Sequence, residues 1–332
     1  MKAKYLLYTF IFLILVALTF TVSYFIVSKY IQTTPSVPED IFVDIPKGSG
    51  LSEISQELMN SGVIANDKLF IFYVMKEGWQ DDLKAGEYKF EKGSTMAQVV
   101  SKIVKGDVVL KRVTIPEGLT VREIARLLDQ KGVVDEADFL DTAQDKTLLH
   151  NLLGPDAKSF EGYLFPETYS YSKSLTPQEL IVLMVERFKA VYEPLIKDSR
   201  VDLSRNEIIT LASIVEKETG VASERPLISA VFQNRLRIGM KLDSDPTVIY
   251  GKGDDFDGNL TRDDLKEYTV YNTYVIKGLP PGPIANPGKD SIAAVLKPAD
   301  EDYLYFVSKG DGTHHFSNSI REHQNAVNKY QR

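Results

Sequence analysis

The chain has 332 residues, a formal charge of −7, 26% charged and 43% apolar residues, and no cysteine. Such a composition excludes wholesale disorder, and the acidic balance excludes a general nucleic-acid binder, which needs a basic face for phosphates. The absence of cysteine removes disulfides, iron–sulfur clusters, thiol nucleophiles and thiolate zinc sites together. At ~150 residues per domain the length suits two domains plus extra segments.

The first predicted element is YLLYTFIFLILVALTFTVSYFIV, residues 5–27, which carries no charge. At ~1.5 Å per residue it spans a hydrocarbon core of ~30 Å. It is too long for the apolar core of a signal peptide and lacks a small-residue cleavage site, so it predicts a retained anchor. Tyr5, Tyr8 and Tyr24 suit the two interfaces. Lys2, Lys4 and the amino terminus outweigh Lys29 and predict a cytoplasmic N-terminus, a single pass and an extracytoplasmic remainder. Residues 1–31 are thus the N-terminus and anchor, and QTTPSVPED, residues 32–40, is a short polar linker.

An internal repeat follows. IPKGSGLSEISQELMNSGVI, from Ile45, recurs without a gap as IPEGLTVREIARLLDQKGVV, from Ile115. A weaker third copy, EKGSTMAQVVSKIVKGDVV, starts at Glu91 and puts Met96, Val99 and Ile103 at helical positions. Each copy predicts a strand ending at a Gly turn, a short amphipathic helix capped by Ser or Thr, and a Gly stop. AGEYKF, residues 85–90, alternates like a strand. Residues 41–107 are therefore expected to form a β-α-α-β module that resembles a LysM-like domain, a fold associated with peptidoglycan. No aromatic carbohydrate platform is evident, so the alternative reading of the repeat is a packing unit alone.

Residues 211–220, LASIVEKETG, end a helix on carboxylates. Ser204 and Glu207 have capping-box spacing. Ile208, Leu211, Ala212 and Val215 then recur on one face. At ~100° per residue Glu218 falls beside Leu211 and Ile214, Glu216 lies on the opposite flank of the stripe, and Lys217 faces away. Gly220 is the expected stop, which puts Glu218 in the last turn. The negative end of the helix and partial burial both raise a carboxyl pKa there, as a general acid at neutral pH requires. The spacing leans to Glu218 without deciding between the two glutamates.

The block from Leu211 to Gly251, with EGYLFPETY (161–169), YNTYVIKGLPPGPIANPG (271–288) and YLYFVSKGDGTHHFSNS (303–319), resembles the MltG-like (YceG-like) endolytic murein transglycosylases, membrane-anchored bacterial proteins of the same layout. The resemblance implies that Glu218 is the catalytic glutamate and that Thr219 is the hydroxyl residue following it, as at the helix end of lysozyme-like lytic transglycosylases. It implies a lyase that acts on the bond between N-acetylmuramic acid and N-acetylglucosamine. It implies peptidoglycan glycan strands as partner, with peptidoglycan synthases and elongation or division proteins as neighbours, in the bacterial cell membrane. No metal or cofactor is called for. The expected fold is α+β: one transmembrane helix, a LysM-like βααβ module at 41–107, and a mixed α/β catalytic domain at 108–332 with a lysozyme-like catalytic helix.

Further candidates follow from side-chain chemistry. Glu167 is the candidate second carboxylate, which a hydrolytic muramidase would need. Thr219, Tyr271, Asn272, Tyr274, Asn286, Gln233 and Asn234 offer hydroxyl, amide or aromatic groups to sugars, although each also suits a core strand, a turn or a structural hydrogen bond. Adjacent His314 and His315 face opposite ways on a strand and cannot easily share a metal. GKGDDFDGN, residues 251–259, lacks the spacing of a calcium loop. A non-enzymatic scaffold that binds peptidoglycan is the expectation of a different class.

Overall fold

The first element is α1 (Lys2–Thr33), a helix long and apolar enough to cross a membrane. The structure is a computed structural model that describes residues 2–197, 199 and 201–331, with backbone alone at Lys2 and Ala3. The charges of Met1 and Lys2, on which the expected orientation partly rests, lie outside the described side chains. Phe12, Phe20 and Phe25 of α1 are exposed, whereas Ile31 near its end is buried at 1% exposure.

Two compact units divide the chain, one comprising Met1–Lys111 with Ser170–Ser174, the other Arg112–Tyr169 with Leu175–Arg332. In the first unit α1 is followed by β1 (Ile41–Ile45), α2 (Leu51–Asn60), α3 (Asp67–Glu77), β2 (Gly86–Phe90) and α4 (Met96–Lys105). β1 and β2 pair antiparallel, from Ile41 opposite Phe90 to Ile45 opposite Gly86. Alternation along GEYKF turns Tyr88 and Phe90 inward, where they join Leu58, Phe70, Val99 and Ile103 in a continuous core. The Tyr88 hydroxyl, which could not be buried unpaired, donates to the Lys84 carbonyl at 2.7 Å.

Residues 32–40 are not a free linker. The Ser36 N–H donates to the Ser94 carbonyl at 2.9 Å, the Gly93 N–H donates to the Val37 carbonyl at 2.8 Å, and the Val37 side chain is buried. One apolar residue with backbone partners on both sides was enough to dock a segment whose composition reads as polar. The caps also differ from expectation in one copy. Thr95 and Thr120 cap α4 and α5 (Val121–Gln130) in capping boxes with Gln98 and Glu123. The cap of α2, however, is Gly50, whose N–H donates to the Glu53 carboxylate at 2.9 Å.

The chain continues through β3 (Lys111–Thr114), most of which belongs to the second unit, into α5, then α6 (Glu136–Ala143), α7 (Lys146–Leu153), β4 (Thr168–Tyr171), which the two units share, and α8 (Pro177–Ile196). It continues with α9 (Arg205–Glu218), α10 (Arg225–Arg237), α11 (Asp245–Lys252), α12 (Lys289–Leu296), β5 (Tyr305–Ser308), β6 (His314–Ser317) and α13 (Ile320–Tyr330). β3 pairs with β4, and β5 with β6. The chain is a mixed helix and sheet protein whose described sheets are two-stranded ribbons, and the second unit has a helical core.

α9 is the centre of that core, packed by α10, α11 and α12. It starts as its sequence dictates: the Ser204 hydroxyl accepts the Glu207 N–H, and the Glu207 carboxylate accepts the Ser204 N–H at 2.8 Å. Beyond that turn every residue from Ile208 to Val215 is buried. A one-sided stripe was expected, but neighbours from later in the chain cover the small polar face as well. There the Ser213 hydroxyl donates to the Thr210 carbonyl at 2.7 Å and accepts the Ile284 N–H at 3.0 Å. The EGYLFPETY segment is pressed against the proline-rich turn. A Cβ on Gly162, at φ +87°, would lie 2.5 Å from Cγ of Pro283, so only glycine fits.

Candidate active site

α9 ends on Glu218 itself. Thr219 is extended at φ −147° and ψ 135°, so the helix stops there and not at a left-handed Gly220. Thr219 is buried, and its hydroxyl accepts the Val221 N–H at 3.0 Å; it shapes the exit from the helix. The turn delivers the Glu218 side chain into a cavity of about 460 Å³ that is also lined by Arg235, Asp243, Asp245, Tyr274 and His314.

The Ser244 hydroxyl donates to Oε1 of Glu218, while Oε2 has no hydrogen-bond partner among the described residues. Glu218 keeps a little solvent contact through the cavity mouth, yet dense protein surrounds it. That burial pushes its pKa up to about 7; the Ser244 hydrogen bond works against the rise, the charge of Asp245 adds to it, and those of His314 and Arg235 oppose it. A carboxyl with that pKa and a free oxygen can donate a proton near neutrality and take one back.

The walls are held by buried polar groups. Arg235, 7% exposed, donates through Nη1 to the Leu242 carbonyl at 2.5 Å and through Nε to the Leu304 carbonyl at 2.7 Å, so one side chain ties both walls. Asp243 sits at φ 47°, the one non-glycine residue with positive φ among the described residues, and burial raises its pKa. The Tyr274 hydroxyl donates to Asp245 at 2.7 Å. His314 is held by Glu224, through its backbone N–H at 2.8 Å and its ring Nδ1 at 2.7 Å.

Of the residues predicted from sequence, the structure brings Glu218 and Tyr274 together and places the rest elsewhere. Glu216 turns away into a buried ion pair, 3.1 Å from Arg225, and accepts the Gly288 N–H at 2.9 Å, which ties the end of α9 to the start of α12. Glu167 lies outside the cavity, paired with Arg187 at 2.8 Å, which holds its carboxyl below the usual range. Gln233 donates to the Val295 carbonyl at 3.0 Å, and Asn234 donates to the carbonyls of Glu301 at 2.8 Å and Tyr303 at 3.0 Å. These amides strap backbone on the far side of α10, beside a different recess.

Asn272 is fully buried and donates to the carbonyls of Asp264, Leu265 and Glu267, while Tyr271 packs on Tyr250 with ring centroids 4.8 Å apart. Asn286, also fully buried, accepts the Leu164 N–H at 2.8 Å and donates to the Leu119 carbonyl at 2.9 Å. The two asparagines satisfy buried backbone, a use that looks identical to sugar binding in a sequence. Among the described residues no three His, Asp or Glu side chains gather as metal ligands, and Asp254 of the GKGDDFDGN loop pairs with Arg122 and Arg126.

The profile of the YceG-like family matches residues 43–329. The chain belongs to the YceG-like family. It is 32% identical over 306 residues to a protein of Bacillus subtilis (strain 168) named endolytic murein transglycosylase, covering 87% of this chain and 84% of that one. A protein of the same name from Streptococcus pneumoniae (strain ATCC BAA-255 / R6) is 32% identical over 320 residues, which span 86% of this chain and 58% of the longer relative. The crystal structure of a YceG-like protein from Listeria monocytogenes, 34% identical, superposes with a TM-score of 0.58 and covers 86% of this chain and 98% of that one.

Sequence reasoning missed Ser244, Asp245, Arg235 and the His314–Glu224 pair as members of the site. Asp243, Ser244 and Asp245 stand immediately before a proline, where a chain leaves one element and caps the next; that was the available signal. His314 carried a signal too, as half of a histidine pair on a strand with one face inward.

Proposed function

We propose that the chain is a membrane-anchored endolytic murein transglycosylase that cleaves the β-1,4 bond between N-acetylmuramic acid and N-acetylglucosamine within glycan strands. The observation that carries this reading is Glu218: a carboxyl with one free oxygen, in an open cavity, with its pKa pushed up to about 7. Glu218 protonates the leaving glycosidic oxygen. The muramoyl C6 hydroxyl attacks C1 from within the same sugar, where its effective concentration is already high, and leaves a 1,6-anhydro end. The family membership and the names of the relatives support it. α1 would hold the enzyme at the outer face of the cell membrane with its N-terminus in the cytoplasm, near emerging strands and the synthases that extend them. The β-α-α-β order of the first unit supports a LysM-like module.

Mass spectrometry of fragments released from purified glycan strands tests the chemistry. Anhydromuramoyl ends, lighter by one water than hydrolysis products, are expected. Reducing ends alone would support hydrolysis instead, a reading that Asp245 favours because it puts a second carboxylate in the cavity of Glu218. A reporter fused after Arg332 should behave as extracytoplasmic; cytoplasmic activity from that fusion would rule out the proposed location.

A further inference from the structure

His314 opens β6, and its ring borders the same cavity as Glu218. Glu224, in the turn between α9 and α10 and only 8% exposed, grips this residue twice. Oε1 accepts the His314 backbone N–H at 2.8 Å and Oε2 lies 2.7 Å from ring Nδ1. A carboxylate that already accepts the His314 N–H accepts at its other oxygen as well, so Nδ1 carries the hydrogen and donates. When the ring is neutral, that leaves Nε2 as a lone-pair acceptor, and no hydrogen-bond partner for Nε2 exists among the described residues. Edge-on packing against Phe306, with centroids 5.4 Å apart, fixes the ring plane. A ring held in one tautomer, with its outer nitrogen unpartnered in the same cavity as a proton-donating carboxyl, has the arrangement of a general base with its orienting acid.

We propose that His314, oriented by Glu224, is a second proton-transfer group of this site and takes the proton of the muramoyl C6 hydroxyl. This rests on the transglycosylase reading. The O6–C1 bond forms as the C1–O4 bond breaks; the leaving oxygen keeps the bonding pair and receives the Glu218 proton, while the O6 proton passes to Nε2. The imidazolium then returns its proton to the Glu218 carboxylate, so the cycle closes with no net proton and no co-reactant. Glu218 need not then reach both the leaving oxygen and O6. Glu224 is a positioning residue, because it acts through the ring. The other charged or titratable groups around the cavity are Arg235 on α10, Asp243 and Asp245 at the start of α11, Tyr274, Tyr305 on β5 and His323 on α13.

The test uses the full chain in detergent, with purified uncrosslinked glycan strands. His314→Ala should lower kcat by ~10²-fold with KM little changed, and imidazole added to the assay should restore part of the loss. His314→Gln, which keeps size and a hydrogen bond but no base, should be as slow. Glu224→Gln should lower kcat without moving KM, since an amide can hold the ring in the wrong tautomer. His314→Gln turning over at the wild-type rate, or a slow His314→Ala that ignores imidazole and melts far below wild type, would show a purely structural pair and overturn the proposal. Glu218→Gln separates the two layers of argument. If it is inactive while the His314 variants are fully active, only this inference falls; if it is active, the transglycosylase reading falls first.

Discussion

Two carboxyls of the second unit, half-buried Glu218 and buried Glu161, invite comparison because desolvation drives both far from ordinary behaviour. The pKa of Glu218 rises to about 7 and that of Glu161 to about 8. Their surroundings otherwise differ. Glu161 is 7% exposed and fully engaged: both oxygens accept the Val121 N–H at 3.2 Å, the Tyr250 hydroxyl donates at 3.3 Å and the Asn286 amide at 3.2 Å. It ties together the EGYLFPETY segment, the start of α5 and the proline-rich turn. Glu218 has one hydroxyl on one oxygen and an open cavity before the other. The higher pKa belongs to the residue with the fewest free lone pairs. A displaced pKa reports dry surroundings; an unengaged oxygen at a cavity is what distinguishes a group that can exchange protons with a ligand.

The sharpest way to break this contrast is to neutralise each carboxyl in turn. Glu218→Gln should lower turnover by ~10²-fold or more while leaving the fold intact. Because the folded pKa lies above the unfolded one, the stabilising effect of the wild-type carboxyl is complete below about 4.5 and is lost as pH rises through about 7. Glu218→Gln should therefore melt at or above the wild-type temperature at pH 8, measured by calorimetry. A variant with wild-type turnover would move attention to Glu216, whose own Gln variant should weaken the tie between α9 and α12.

Glu161 should show the reverse pattern. Glu161→Ala leaves three buried donors unpaired, at about 1–3 kcal/mol each, and should fall sharply in melting temperature. Glu161→Gln should be far milder and keep activity. Its stability should change little with pH where wild type weakens, between about 4.5 and about 8. Loss of turnover in Glu161→Gln with an unchanged melting curve would erase the contrast.

Smaller effects come from the immediate neighbours of Glu218. Ser244→Ala removes a hydrogen bond that lowers the Glu218 pKa, so the alkaline limb of kcat/KM should move to higher pH. Asp245→Asn removes a charge that raises it, so that limb should move to lower pH. Shifts of up to about one unit in opposite directions are expected; shifts of the same sign would mean that another group controls the limb. Smallest of all, Gln233→Ala and Asn234→Ala should cost about 1 kcal/mol of stability for each lost backbone strap and leave KM for glycan strands unchanged. A raised KM would return them to the substrate path.

Local order was the part of this molecule legible in the sequence. The Ser204–Glu207 capping box, the alternation of GEYKF and the helices of the repeat depend on residues within a few positions of one another, and the structure has each. Glu218 could be placed at the end of its helix for the same reason. The surroundings of Glu218 could not be read, because they come from Ser244, Arg235 and His314, brought back by packing. Asn272, Asn286, Gln233 and Asn234 illustrate the complementary loss. An amide donating to a backbone carbonyl and an amide awaiting a sugar are the same residue until the partner is known.

The docked segment after α1 changes what kind of attachment the first unit has. Nine free residues would behave as a leash with a reach of roughly 5–6 Å × √n, about 17 Å. With Ile31 and Val37 both in the core of that unit, α1 instead enters it as a fixed post. Were α1 standing in a bilayer, the first unit would ride at one height and one tilt above the lipid. Inserting a flexible stretch after Thr34 would then free that height and tilt without altering a single residue of the cavity that holds Glu218.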